Sequence, residues 1–503
     1  METELKLKVP ADELERLRRH PMLAGRALGE PVEHHLVDTY YDTPERTLWK
    51  AGLSLRVRAD GGRWIQTVNT AHDASGSLHR RGEWECELPD AQPRPDLLAR
   101  QVKPAALAEL LRSAAIASDL APLFQSTTHR TAWRIALADG QELGCAFDAG
   151  SIAAGDRQAS IAELALVLKN GDPAQLFRLA LELHHEVPLQ LAVESKAARG
   201  HALLDAAPPR AHKAAPVRLR GKMTLEQAFV AIGTNCLAQL ESNLPGVLKR
   251  DVESLHQMRV GLRRLRALVG MFEALVQPPA AVRDGLDWLS GELGAARDWD
   301  VLAGSTLERI AGLDPASLRQ AAETKAEAHH RQLAQTLRAP HFTQVLLQVG
   351  GWLHGRGWRA GDGLAKDAPL AAPAGRAIRP LLRKAEKRLD KRIAGLDTGD
   401  AHARHRTRIA AKKARYAAEF FQDLLPARRV KPYVGRLAKL QDRLGMLNDY
   451  AVADRLLDEL KGSNAQVARQ AAYARGFLAA STAAHSARLD KALASVAGRR
   501  LSA

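Results

Sequence analysis

The stretch 256–266, HQMRVGLRRLR, sets His256, Arg259, Arg263, Arg264 and Arg266 at a spacing that recurs 149 residues later as His405, Arg408, Lys412, Lys413 and Arg415 in HRTRIAAKKAR. At 100° per residue, His256, Arg259, Arg263 and Arg266 fall within an arc of about 80° on a helix, and His405, Arg408, Lys412 and Arg415 repeat that arc. Like charges on adjacent turns repel by roughly a few tenths of a kcal/mol per pair. A helix keeps such a stripe when an anion neutralises it, and closely spaced phosphates would do so through bidentate hydrogen bonds to arginine. A third stretch, RKAEKRLDKR (383–392), lines up Arg383, Lys387 and Lys391 beside Lys384, Arg388 and Arg392. Taken alone, it reads as a solvated charged face.

A second pair of motifs follows the first. LGAARDWDV (293–301) is echoed by LGMLNDYAV (444–452) at an offset of 151 residues. Two unrelated motifs at nearly one offset mark an internal duplication of a multi-helix unit. Asp298 and Asp449 within them read as partners that orient arginines.

Charge separates the chain into two parts. Residues 1–204 carry 24 Lys and Arg against 28 Asp and Glu, whereas 205–503 carry 49 against 29. All of the net +16 therefore sits in the C-terminal part, where a polyanion is the implied partner. The Pro- and Ala-rich segment 205–222 reads as a linker, and 350–375, rich in Gly and Pro, reads as a loop dividing the helical part into halves of about 223–349 and 376–503. The three cysteines have no metal-ligand spacing and suit a reducing cytoplasm. No signal sequence or apolar run of eighteen is present. A cytoplasmic protein without membrane association is expected.

The N-terminal part alternates. Glu2, Glu4, Lys6 and Lys8 oppose Leu5, Leu7 and Val9; Arg56 and Arg58 oppose Leu55 and Val57; Glu83, Glu85 and Glu87 oppose Trp84, Cys86 and Leu88. Glu163 and Lys169 likewise share a face opposite Leu164, Leu166 and Leu168. Such strands build either a solvated sheet with cross-strand ion pairs or a closed sheet whose charged face lines a lumen. Mixed carboxylates and cations could hold a divalent ion and phosphate oxygens together, as phosphoanhydride hydrolysis requires.

These residues carry two resemblances. Residues 222–503 resemble the CHAD family of helical polyphosphate-binding domains. That resemblance implies long-chain polyphosphate binding by His256, Arg259, Arg263, Arg264, Arg266, Lys384, Lys387, Arg388, His405, Arg408, Lys412, Lys413, Arg415 and Tyr416, and an association with polyphosphate granules. Glu2-Thr-Glu4-Leu-Lys6, together with YYDTPERTLWKAGLSLRVR, WIQT, RGEWECEL, FDAG and SKAARG, resembles the CYTH superfamily of triphosphate tunnel metalloenzymes over 1–204. The implied fold is an α+β closed antiparallel barrel followed by an all-α domain of two duplicated halves. The implied activity is hydrolysis of inorganic tripolyphosphate with Mg²⁺ or Mn²⁺. Glu2, Glu4 and Glu163 would be metal ligands; Lys6, Arg56, Arg58, Arg130 and Lys196 would bind phosphates; Glu85 and Asp148 would shape the acidic side.

Two positions depart from that pattern. Asn69 stands where the family places Lys, and Ala165 and Val167 follow Glu163 where it writes further carboxylates. A non-catalytic polyphosphate adaptor is therefore the competing expectation. Nucleic-acid binding is disfavoured because aromatics, at 5%, are not interleaved with the cations. A class IV adenylate cyclase fits the basic second domain less well. The paired histidines 34/35, 184/185 and 329/330 read as surface or capping residues rather than metal ligands, since neighbours diverge in direction. Trp352 and Trp358 read as packing anchors.

Overall fold

The computed structural model describes residues 3–70, 78–79, 82–137, 140–204, 210–359, 365, 368–462, 464–486 and 488–501. Glu2 lies outside them. The chain forms two compact units, one of Met1–His212, Glu241–Lys249 and Arg338–Gly357, the other of Lys213–Leu240, Arg250–Leu337 and Trp358–Ala503.

The first unit is built on antiparallel strands β1 (Thr3–Lys8), β2 (Val32–Asp42), β3 (Leu53–Asp60), β4 (Arg63–Thr70), β5 (Leu78–His79), β6 (Glu83–Leu88), β7 (Ala121–Ala136), β8 (Glu142–Ala154), β9 (Arg157–Asn170) and β10 (Gln190–Leu191). Their order is β10-β1-β9-β8-β7-β2-β3-β4-β6, with β5 attached to β1 off this path. Alternation sets the two faces: Leu5, Leu7, Leu164 and Leu166 are fully buried on the outer face, where helices cover them. The ionised residues share the inner face.

The expected closed barrel is not formed. Among the described residues, β6 pairs with β4 alone. The edge of β1 away from β9 is divided between β5, at Glu4 and Leu5, and β10, at Leu7 and Lys8. No continuous edge is left there for β6 to join, so the sheet curls without sealing.

The helix Ala174–Glu186 packs in the same unit against the helix Pro340–His354. Phe177 lies so close to Gly350 that a Cβ there would come within 2.3 Å of its ring, and it stacks on His354. The glycines that read as loop residues thus belong to a helix, because only a bare backbone admits that ring. The connection expected from residue 350 begins after His354.

The second unit is helical. Its two basic helices, Val252–Phe272 and Ala401–Phe420, start alike: Asp251 caps the first by accepting from Ser254 N at 2.6 Å, and Asp400 caps the second by accepting from His402 N at 2.8 Å. Each acidic cap satisfies an orphan amide and favours the positive end of the helix dipole. The repeated LG-x-x-x-D-aromatic motifs lie on the helices Ala280–Val301 and Ala427–Glu459. Their aromatics, Trp299 and Tyr450, are buried in one core. Among the described residues no helix is long and apolar enough to cross a membrane.

Candidate functional site

Three strands, β1, β3 and β7, bring cations to one place on the inner face of the sheet. A cavity of about 830 Å³ is lined by Glu4, Lys6, Arg56, Arg58, Glu85 and Arg130, with Asn69 among its further residues. A recess of about 60 Å³ adjoins it, and Lys6, Arg56, Arg58, Arg130 and Lys196 all line this recess. Lys196 arrives from the first turn of the helix Lys196–Leu204. The five cations named from the sequence therefore converge. No carboxylate is among the recess's described lining residues.

The carboxylates stand behind these cations. Asp38, on β2 and 2% exposed, accepts from Arg58 Nε at 2.7 Å and Nη2 at 3.1 Å. Asp148, also 2% exposed, accepts two hydrogen bonds from Arg130, at 2.7 and 2.8 Å, and one from Lys196 at 2.7 Å. Glu163 accepts from Lys196 at 3.1 Å and from Arg199 at 2.6 Å. Burial alone would raise the Asp148 carboxyl, but Lys196 and Arg130 outweigh it and hold it far below the usual range. The same contest, with burial opposed by Lys196, Lys6 and Arg199, leaves Glu163 lowered. Burial would lower the Lys196 ammonium, and Asp148 and Glu163 reverse that, so it stays charged. Sequence reasoning missed Asp38 and Arg199. Asp38 was available from the alternation in VDTYYD, and Arg199 from its place one turn after Lys196.

Of the expected metal ligands, Glu4 and Glu163 do not come together. Glu4 pairs with Lys6 at 3.0 Å. Glu163 is engaged by Lys196 and Arg199, and Val167 and Ala165 take the positions across β1 from Glu4 and Lys6. Among the described residues no group of three or more His, Cys, Asp or Glu could hold a metal ion. Glu85 lines the larger cavity, accepting from Thr67 Oγ1 at 2.9 Å with Arg56 3.7 Å away. Glu4 and Glu163, the expected ligands among the described residues, therefore do not fit a shared divalent ion.

In the second unit, Arg259 and Arg263 face Arg408 and Lys412 across the two basic helices, with Asp298 and Asp449 beside them. Burial pushes the Lys412 ammonium down to about 6, and Arg408 and Arg263 add to that push. Burial likewise lowers Arg259 to about 10 against the pull of Asp298, and lowers His256, with Arg297 and Arg263 contributing. Asp298 and Asp449 are raised by burial, an effect that Arg259 and Arg408 respectively moderate. Among the described residues, the Nε atoms of Arg263 and Arg408 are buried without hydrogen-bond partners. Lys413 forms a second group with Arg388 and Arg266.

Other residues named from the sequence lie apart. Arg264 turns to Gln239 (2.7 Å) and Asn235 (3.1 Å) and over the Phe420 ring. Arg415 pairs with Glu419 at 3.1 Å, and Tyr416 is buried against Phe420. His405 is exposed and meets Asn448 Oδ1 at 3.0 Å. Lys384 and Lys387 are exposed on the helix Ala374–Ala394. His184 and His330, expected at the surface, are buried: His184 bonds Pro340 O and Leu189 N, and His330 bonds Asp300.

Residues 1–201 match the CYTH domain and residues 231–458 the CHAD domain. The chain belongs to the CHAD family, its CHAD domain preceded by a CYTH domain. It is similar to the crystal structure of the CHAD domain from the plant Ricinus communis at 38% identity and a TM-score of 0.53, covering 59% of this chain and 99% of that one. An inorganic triphosphatase of Haemophilus influenzae is 31% identical over 175 residues, which are 34% of this chain and 47% of that protein. The chain thus spans about half the length of the curated relative it matches.

Proposed function

We propose that this protein is a triphosphatase-type phosphoanhydride hydrolase that takes inorganic tripolyphosphate in its N-terminal cavity and binds long-chain polyphosphate on its C-terminal domain. The observation that carries this reading is the convergence of Lys6, Arg56, Arg58, Arg130 and Lys196 on one small recess. Three linked phosphates present closely spaced anionic oxygens, and preorganised cations stabilise charge as it shifts toward the leaving group. Asp38, Asp148 and Glu163 hold Arg58, Arg130 and Lys196 in place beforehand, so little reorganisation of these three is required at the moment of reaction. In the C-terminal domain, Arg259, Arg263, Arg408 and Lys412 offer a long chain a row of partly desolvated donors.

The competing reading, a non-catalytic sensor of phosphate chains, is favoured by Asn69, Ala165 and Val167. Phosphate release from tripolyphosphate, assayed with Mg²⁺ or Mn²⁺ and with chelator, separates the two. Hydrolysis predicts release that Lys196→Met lowers by about a hundredfold or more, as expected when a donor to the developing charge is lost. Wild-type protein that binds the substrate and releases nothing would leave the sensor. Competition between long-chain polyphosphate and duplex DNA tests the second domain; DNA prevailing at physiological salt would refute polyphosphate as its ligand.

A further inference from the structure

We propose that the N-terminal domain grips the phosphate chain directly on its own cations, with no divalent ion as a bridge, and that Glu163 is a positioning residue holding Lys196 for that grip. This rests on the reading that the recess takes a short phosphate chain.

The register of the sheet carries the argument. Glu163 lies opposite Lys8 on β1, whereas Glu4 lies opposite Val167. These positions are four residues apart along β9, about 13 Å at the usual rise of a strand. An ion that holds its oxygens at about 2.1 Å cannot be shared between carboxylates so separated. Lys6 stands between them on β1, facing Ala165, which has no oxygen on its side chain to offer.

Both oxygens of Glu163 already have cationic partners: Oε1 takes Arg199 at 2.6 Å, and Oε2 takes Lys196 at 3.1 Å. Glu163 is only 4% exposed, so recruiting it to a metal would take a carboxylate partner from both Lys196 and Arg199 in a low-dielectric setting. Lys196 is held from the other side by Asp148 at 2.7 Å. Two buried carboxylates thus fix one ammonium at the wall of the recess where Lys6, Arg56, Arg58 and Arg130 meet. A phosphate chain entering there supplies the negative charge that these groups face.

The test is calorimetric titration of tripolyphosphate into the full chain, once in EDTA and once in Mg²⁺. Arg263→Met and Arg408→Met in the background silence the second domain's row. Expected is binding in EDTA within about threefold of that in Mg²⁺, since the cations do the gripping. Glu163→Gln should weaken binding in EDTA by about fivefold or more, and should add nothing in a Lys196→Met background, the non-additivity that coupled residues produce. A metal ligand gives the opposite pattern: binding only with Mg²⁺, and a Glu163→Gln change that is silent in EDTA. Either result overturns the proposal, and the wild-type comparison does so without any further variant. Absence of binding under both conditions overturns it together with the proposed substrate.

Discussion

Arg259 reaches across Gly294 and donates to the carbonyls of Leu293 at 2.5 Å and Gly294 at 2.7 Å, ending 4.0 Å from Asp298. The two motifs that recur in the sequence are therefore the two sides of one contact. The second half repeats the close approach: a Cβ at Gly445 would stand 3.9 Å from Arg408 Nε, as one at Gly294 would stand 3.8 Å from Arg259 Nη1. A lysine ammonium has all its donors on one atom, whereas the guanidinium divides them between Nη1 at the carbonyls and Nη2 toward Asp298. Arg259→Lys should cost about 1–2 kcal/mol of stability. Urea denaturation of the full chain checks this, and an unchanged midpoint would refute the anchoring role.

The basic helices contain arginines in different states, and binding should rank them. Arg263 and Arg408 have buried Nε donors without partners among the described residues, whereas Arg264 is engaged by Gln239, Asn235 and Phe420. Arg263→Met and Arg408→Met should each weaken long-chain polyphosphate binding about tenfold, the loss of one charge-assisted contact. Arg264→Met should leave affinity within about twofold while lowering stability, because its loss strands the buried Gln239 amide oxygen. Fluorescence anisotropy with labelled polyphosphate gives the order; Arg264 ranking first would overturn the assignment.

Lys412 makes second-domain binding sensitive to pH. It faces Arg408, Arg263, Arg259 and Asp449, and its folded value of about 6 lies below the roughly 10.4 of an unfolded lysine. Between those values the unfolded chain holds more protons, so the unliganded protein gains stability as pH rises through this window. Binding of an anion acts in the other direction, because it favours the ammonium. Polyphosphate affinity should therefore fall as pH rises above about 6, and binding at pH 7.5 should take up about one proton. Titration in buffers of different ionisation enthalpy measures that uptake, and Lys412→Arg should abolish it. Equal uptake in the variant would refute the role of Lys412.

Asn69 lines both the cavity and the recess, across the ladder from Ser54 and Glu83. Asn69→Lys adds a cation to a wall that already concentrates them. Tripolyphosphate binding should tighten by about tenfold at low salt, and the gain should shrink as ionic strength rises. Without ligand the variant should melt lower, since like charges crowd at the recess. Tighter binding with no salt dependence would show that charge is not the cause.

Much of this arrangement was legible because strands and helices have fixed periods. Alternation in ETELKLKV put Lys6 and Leu5 on opposite faces, and the structure keeps them there. The recurring His–Arg spacing marked the two basic helices before any coordinate did. What the periods could not convey was how side chains choose partners within a face. Glu4 and Glu163 share the inner face, yet register sets them at different levels, and register depends on pairing between distant segments. Arg264 follows Arg263 directly, and a rotation of 100° suffices to turn it to Gln239. That the sheet stays open was equally hidden, because the β1 edge is taken by two-residue strands too short to leave a pattern.

The ring of Phe177 against Gly350 has a bearing on how this protein can be dissected. Cutting after residue 204 would remove Pro340–His354 and strip the cover from Ala174–Glu186. A truncated N-terminal fragment would then expose the apolar side of that helix to water, inviting aggregation or partial melting. Inactivity of such a fragment would report the missing cover and nothing about its cations. Point variants in the intact polypeptide avoid that confusion.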